Sequence, residues 1–518
     1  MFKRALIFCL NIGLSCSLVS FATAKDKPGE AEESAREMEK TLFMASGTQD
    51  RVLKIGLVDC MLYALKQNSE ILVKRIEPKL KEDDVKIAEA DFEPTFNAEY
   101  TLNDKSEISS SVLQGAEVYN TQDMQLNADV SGKFISGTGY KVELLNQRYK
   151  SDSTYQIFNP YYTIEPKITI TQPLFRGFGR TVNKADIIVA QNNRLQSAAS
   201  FKDTVMDTIS KSKIAYYNYI FYLENYAIAK LSLERAQHLL EINKARYQKG
   251  LISSVDLLET EAAAAQREKT VLTADAQVKK AEDDLKLITN LVDDPEVWNA
   301  KIELIDKPAF IIEEVDLLQS LKDAFKYRPD YYSAKIDLKS RDIKIVTAKN
   351  ALLPTADLIG SFGLNGLGKD YQDAIEKVDS DYTDWSVGVK FSLPWGSGDR
   401  AKYDQRKLEK AQAILNFKRL EQNIILEIRD RVRLAKTQKQ QVDVANLSKE
   451  KESQNYEAQK ERYAAGQVST HDMLDYQDKL SQAELDYVKA LIDYNIALIN
   501  LDKSQGLTLA KNDIKLEG

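Results

Sequence analysis

Cysteine, histidine, proline and glycine are all scarce in this chain. Its 518 residues include 3 cysteines, 2 histidines, 11 prolines and 21 glycines. Two of the cysteines, Cys9 and Cys16, lie in the first two dozen residues, which leaves Cys60 without an intrachain partner beyond them. A disulfide framework is excluded, and stability must come from packing. His238 and His471 do not suffice for a histidine-based metal site or a Ser-His-Asp arrangement. Phosphate loops ending in Gly-Lys-Ser/Thr, Cys-x-x-Cys and His-Glu-x-x-His are all missing, so an enzyme reading has no candidate residues and no cofactor is implied. The formal net charge of −7 provides no basic footprint for nucleic acid. Past residue 24, no run approaches the ~20 apolar residues of a membrane-crossing helix. Few glycines and prolines favour long uninterrupted elements.

The N-terminus has a pattern of its own. Lys3 and Arg4 precede an apolar stretch from Ala5 to Val19, and Ala22-Thr23-Ala24 follows. This is the layout of a cleaved signal peptide over residues 1–24, with Lys25 as the first mature residue. Lipidation at Cys16 is disfavoured, because Gly13 stands where a branched apolar residue would be expected. Residues 25–51 read as a charged lead-in. An exported chain without a membrane helix is periplasmic, secreted or a barrel in the outer membrane.

The remainder states itself twice. "RYQKGLISSVDLL" begins at Arg246 and "RYAAGQVSTHDML" at Arg462. "LKQNSE" at Leu65 matches "FKYRPD" at Phe325, and "EPTFNAEYTL" around Pro94 matches "LPTADLIGSF" around Pro354. "QPLFRGFGR" around Pro173 matches "LPWGSGDR" around Pro394. These pairs define a first repeat over 52–300, a linker over 301–311, a second repeat over 312–506 and a tail over 507–518. The changing offset places roughly 39 extra residues in the first repeat between Pro94 and Pro173.

Each repeat has the same order. A helical stretch ends at a proline (Asp59–Asp91, Asp316–Asn350). Strands follow. A long helix then runs to a glycine (Thr181–Lys249, Ala401–Ala465), and a second helix returns (Ser254–Asn290, Thr470–Lys503). Neither long stretch contains glycine or proline, and apolar residues such as Ile424, Ile428, Val432 and Ala435 recur three and four apart. At 1.5 Å per residue they predict ~90–105 Å of helix, which needs other long helices beside it. The strands alternate: Trp385, Val387, Val389, Phe391 and Leu393 share one face, as do Phe96, Ala98, Tyr100 and Leu102. Alternation alone leaves open a tilted membrane strand or a soluble two-layer sheet. Pro166 weakens the start of the strand that ends at Pro173.

Gly250 and Gly466 suit left-handed C-caps after the long helices. Ser253 with Asp256, and Ser469 with Asp472, read as capping boxes opening the return helices. Each repeated phrase is therefore a reversal between antiparallel helices. Tyr216, Tyr217, Tyr219, Phe221, Tyr222 and Tyr226 read as interhelix packing, and Gly177-Phe178-Gly179 as a sharp strand-to-helix junction.

The twice-repeated order of helix, Pro-Thr strand, long helix, Arg-Tyr-x-x-Gly turn and Asp-x-Leu return helix resembles the TolC-like outer-membrane efflux proteins over roughly Val52 to Gly506. The resemblance implies an α+β membrane protein. Strands of three chains would share one outer-membrane β-barrel, and the long helices would form a periplasmic α-helical barrel. It implies a homotrimer set in outer-membrane lipid. This would be a passive exit duct for small-molecule efflux or type I secretion, serving a periplasmic adaptor (membrane fusion) protein and an inner-membrane RND or ABC pump. The turns at Gly250, Ser253, Gly466 and Ser469 would be the tips where the adaptor docks. A periplasmic coiled-coil scaffold without a pore is the alternative.

Two site assignments follow from the resemblance. Asp472 and Asp475, three apart on one helix face, match the aspartates that ring the family's tunnel entrance and would bind multivalent cations there. Tyr463 and Asp256 match members of the latch that holds the entrance shut. The latch arginine falls on Val468, and Arg462 is the candidate replacement. His471, beside the aspartates, is a candidate acid sensor. The extra residues of the first repeat, "LNADVSGKF", a short turn and "YKVELLNQR", form one hairpin. Four strands per chain being the family pattern, the expectation is a loop outside the membrane. The other outcome is six strands per chain.

Overall fold

The computed structural model describes residues 52–108, 118–152, 156–291, 300–306, 310, 312–393 and 395–516. The signal peptide, the lead-in, much of the linker and the last residues of the tail lie outside them. A small unit holds Val52–Lys54 and the described residues of 291–303; the second unit holds the rest. The small unit centres on a pairing of β1 (Val52–Ile55) with β6 (Lys301–Leu304). Residues 301–304, read as linker, are thus a strand.

In the second unit, each repeat opens with a broken helix. In the first copy it is α1 (Leu57–Gln67) and α2 (Ser69–Ala90). In the second copy it is α6 (Leu317–Tyr327) and α7 (Pro329–Asn350). The single helices expected there are split at Asn68 and Arg328, both of which take extended backbone. The reason is a contact made at the break: Asn68 Nδ2 donates to the Ile288 carbonyl, and Arg328 Nη1 to the Ser504 carbonyl. Each acceptor lies near the end of its own repeat's return helix, so the two copies are built alike.

The first long helix is α3 (Arg180–Asn183) followed by α4 (Ala185–Gln248), and it returns as α5 (Ser254–Thr289). The second is α9 (Gly398–Ala464), returning as α10 (Thr470–Gln505). The 67 residues of α9 extend ~100 Å. Gly250 and Gly466 have φ of +70° and +75°, the left-handed caps expected. The return helices end on left-handed residues as well, Asn290 and Gly506. A short helix, α11 (Thr508–Lys511), follows. At the level nearest the strands, α2 packs on α4, α4 on α7 and α7 on α9. Asn192 Nδ2 donates to Ser340 Oγ across the middle pair at 3.0 Å. At the far level, α5, α4, α10 and α9 lie side by side. Four helical rods stand abreast at either level.

The strands form one antiparallel sheet in the order β2 (Thr95–Ile108), β3 (Val118–Lys133), β4 (Gly139–Ser151), β5 (Tyr161–Pro173), β7 (Thr355–Leu364) and β9 (Thr383–Ser392). Short β8 (Gly366–Gly368) pairs with the other half of β5, and α8 (Tyr371–Glu376) packs on both. Pro166 stands opposite Leu144 of β4 and, on its other side, where β7 gives way to β8, between Lys167↔Gly363 and Ile164↔Gly366. The loop expected of the extra residues is not a loop. The extra residues are β3 and β4, hydrogen-bonded along their length between β2 and β5.

The register sorts the side chains by chemistry. One row reads Phe96, Val130, Val142, Ile168, Phe362 and Trp385 across all six strands. The next row, on the opposite face, reads Asn97, Asp129, Glu143, Lys167, Gly363 and Asp384. On the polar face Asn97 Nδ2 donates to Asp129 at 3.0 Å, and Lys141 pairs with Glu143 at 2.5 Å. The apolar face is exposed: Trp385, Val387 and Val389 are 69%, 69% and 66% accessible. A soluble two-layer sheet would cover such a face with a second layer. An apolar band left bare opposite a charged face is the signature of a barrel wall between lipid and water.

Candidate functional site

The tips of the two helical hairpins hold the entrance, latch and docking residues that the sequence singled out. At each, a positive-φ glycine ends the incoming helix and a serine opens the outgoing one. Ser253 Oγ accepts from the Asp256 amide at 3.2 Å, and the Ser253 amide donates back to Asp256 Oδ2 at 3.1 Å. The Ser253 hydroxyl, which donates to Asp256 Oδ2 at 2.7 Å, and then the Ser253 amide hold Asp256 below the usual carboxylate range. Ser469 and Asp472 repeat the serine side-chain contacts, with the amide of Asp472 donating to Ser469 Oγ at 3.1 Å and that hydroxyl donating to the carboxylate at 2.7 Å. Asp475 lies one turn on, paired with Lys479 at 2.6 Å.

The latch residues are placed differently from their pairing in the sequence argument. Asp256 is occupied by Ser253, and Arg462 turns back to Gln459 on its own helix. Tyr463 is buried and gives its hydroxyl proton to Asn243 Oδ1 at 2.5 Å, with Thr470 Oγ1 3.2 Å away. Asn243 in turn donates to Thr260. The cation at Tyr463 is Arg246, whose guanidinium lies 4.6 Å from the ring centre and donates to the Tyr463 carbonyl at 3.1 Å. Val468 packs against the apolar cluster of Leu239, Tyr456 and Met473 beneath.

Sequence reasoning missed Asn243 and Arg246. The signal was present: on a helix, 239, 243 and 246 share a face, so a polar Asn243 follows buried Leu239 on an inward stripe. Two further ties were missed. Buried Arg267 on α5 donates to Gln477 at 2.6 Å and to Asp478 at 2.7 Å on α10. Arg235 on α4 holds Glu484 with both terminal nitrogens. The two hairpins are thus clamped from their tips well into the bundle.

His471 Nδ1 lies 2.7 Å from Glu259 Oε1, joining the return helices at the surface. The bond and charge of Glu259, with Asp472 and Asp475 near by, raise the imidazole above its ordinary value of 6.5. With a raised folded value, the tie is complete below about pH 6.5 and fades as pH climbs through the folded value. We expect Glu259→Gln to lower the His471 midpoint, read by NMR on histidine-labelled protein with His238→Gln for assignment. An unmoved midpoint would remove Glu259 as the cause.

No group of potential metal-ligating residues occurs among the described residues, and no described helix is long and apolar enough to cross a membrane. Tyr216 and Tyr219 are fully buried, and the Tyr219 hydroxyl donates to Glu282 Oε2 on α5, as interhelix packing requires. Gly177 and Gly179 take φ of +84° and +103° at the strand-to-helix junction, and Asn183 donates to both their carbonyls.

Comparison with known proteins agrees with this architecture. The Campylobacter jejuni CmeC outer membrane channel superposes with a TM-score of 0.64 at 18% identity, covering 87% of this chain and 86% of that one. VceC, an outer membrane protein of Vibrio cholerae, gives 0.64 at 14% identity, covering 87% and 96%. The open state of the Neisseria gonorrhoeae MtrE outer membrane channel gives 0.59 at 17%, covering 89% and 94%. At such identities the likeness shows the fold. No curated protein sequence matches the chain. A family model does, over residues 63–291 and 321–507, and it is that of the outer membrane efflux proteins. With both repeats matched across most of its length, the chain belongs to the outer membrane efflux protein family.

Proposed function

We propose that three copies of this chain form a passive duct from the periplasm through the outer membrane. The observation that carries this is the two-faced sheet standing on four long helical rods. Its edge strands, β2 and β9, have no partner on their outer sides among the described residues. Their directions are opposed, so β9 of one copy pairs antiparallel with β2 of the next and the wall closes without edges. The rods continue the cylinder as a helical tunnel. An inner-membrane pump of the RND or ABC class delivers small molecules or a secreted polypeptide to the far end. A periplasmic adaptor seals that joint against the tips at Gly250, Ser253, Gly466 and Ser469.

Asp472 and Asp475 then give two carboxylates from each of three chains around one axis. Such a ring concentrates cations. Lys479 already answers Asp475, so a divalent ion must displace it. Purified protein in planar bilayers tests the reading: a duct conducts, and a scaffold passes no current. In Asp472→Ala with Asp475→Ala, block by divalent cations should weaken at least tenfold. Unchanged block would reject these two residues as the ring.

A further inference from the structure

β3 and β4 have no counterpart in the second repeat. Where they stand in the first, the second repeat has β8 and α8 between β7 and β9. Three observations bear on what the added hairpin does. First, it is paired on both sides, with β2 along Thr95↔Ser131 to Ile108↔Val118 and with β5 along Gly139↔Thr171 to Tyr149↔Tyr161. Second, it carries the alternation of the wall. Leu126, Ala128 and Val130 of β3 face the apolar side with Val142 and Leu144 of β4, and Asp129, Lys141 and Glu143 face the polar side. Third, its tight turn is seated at the helix end of the sheet. The Gly179 amide donates to the Ser136 carbonyl, and a Cβ on Gly137 would stand 2.3 Å from the Gly177 carbonyl oxygen. At the opposite end of the sheet β2 stops at Ile108 and β3 starts at Val118, and β4 stops at Ser151 and β5 starts at Tyr161, so the spans of sequence between these strands are longer than the turn. Short turns on the periplasmic side and long loops outside are the habit of outer-membrane barrels.

From these we infer that the hairpin is part of the membrane wall. The barrel then closes with eighteen strands, six from each of three chains, and its lumen is as wide as the helical tunnel beneath it. This rests on the trimeric duct proposed above. The dimensions agree with it. Strands ~4.8 Å apart and tilted ~40° give a cylinder roughly 36 Å across for eighteen strands and roughly 24 Å for twelve. The rods next to the sheet number four per chain, α2, α4, α7 and α9. Twelve helices at ~8–10 Å spacing make a cylinder roughly 31–38 Å across. Twelve strands would pinch such a tunnel where it meets the membrane. Eighteen continue it at constant width, so the barrel wall imposes no narrower limit on a bulky solute than the tunnel does.

Two measurements test this on the full chain. In the first, subunits and strands are counted by electron cryomicroscopy of the purified protein in lipid nanodiscs. Three chains with eighteen strands are expected. Three chains closing with twelve strands, the hairpin displaced, would overturn the inference and leave the duct standing. A particle with any other number of chains would overturn the trimer itself. In the second, single cysteines are placed at Gln125, Leu126, Val142 and Glu143 and treated in lipid with a sulfonated methanethiosulfonate. Native Cys60 is a silent background, since burial pushes its thiol up to about 12. Gln125→Cys and Glu143→Cys should react at least tenfold faster than Leu126→Cys and Val142→Cys. Equal reaction at all four would mean a hairpin lying in water and would overturn the assignment.

Discussion

Val387→Arg is expected to abolish assembly in the outer membrane, and Ser386→Arg, one residue earlier, is not. Val387 stands midway along β9, on the apolar face, paired with Gly360 and 69% exposed. Ser386 points the other way, its hydroxyl 2.8 Å from that of Ser361 on the polar face. A strand has a period of two, so adjacent positions meet opposite solvents. Arginine at mid-depth on the lipid face of a barrel costs ~2–4 kcal/mol, while lumen positions tolerate charge. Repeated in three chains, that is ~6–12 kcal/mol, comparable with the whole margin of stability of an ordinary protein. Trimer yield from outer-membrane fractions reads the outcome. Equal yields from the two variants would mean that the exposed apolar face is not turned toward lipid.

The same period explains what was legible in the sequence and what was not. Face assignments such as Phe96 with Tyr100, or Trp385 with Val389, depend on alternation within one strand, and the register upholds them. The fate of β3 and β4 depends on which strands lie beside them, and alternation is silent about neighbours. Expecting four strands put the hairpin outside the wall, although Leu126 and Val142 already carried the pattern of a wall strand. The long helices were legible because nothing in 181–249 or 401–465 interrupts them. The breaks at Asn68 and Arg328 were not. They are set by carbonyls of Ile288 and Ser504, more than 150 residues away in sequence.

At the tips, local chemistry was readable and pairing across hairpins was not. Ser253–Asp256 and Ser469–Asp472 are contacts three residues apart; the first forms the full capping box, and the second forms the serine cap on the Asp472 amide. The cation that reaches Tyr463 comes from the other repeat. Arg246 and Arg462 occupy equivalent places in the two phrases, and the sequence reading took Arg462. Only packing distinguishes them: Arg246 lies along α4, which faces α10 and the buried Tyr463, whereas Arg462 points into solvent beside Gln459. Equivalent positions in a duplicated chain have equal sequence and unequal surroundings.

Tyr463→Phe combined with Arg246→Met should raise conductance through the entrance several-fold at constant voltage. An entrance built from hairpin tips widens only when one hairpin leaves another, and contacts between hairpins resist that. Tyr463 contributes its hydroxyl to Asn243 and faces Thr470, while Arg246 caps its ring and carbonyl. Removing the hydroxyl leaves the buried Asn243 oxygen without that donor, at a cost of ~1–3 kcal/mol. Losing the cation over the ring adds about 0.5–1 kcal/mol. If these contacts exist in the closed arrangement alone, the total shifts the closed-to-open ratio by about one to three orders of magnitude, since ~1.4 kcal/mol is tenfold. Arg267 and Arg235, deeper in the bundle, keep the hairpins joined, so the change stays at the tips. The discriminating readout pairs single-channel conductance with thermal unfolding. A hub that merely packs the helix ends would lower the melting temperature and leave conductance where it was, and that result would remove Tyr463 and Arg246 from the closure of the entrance.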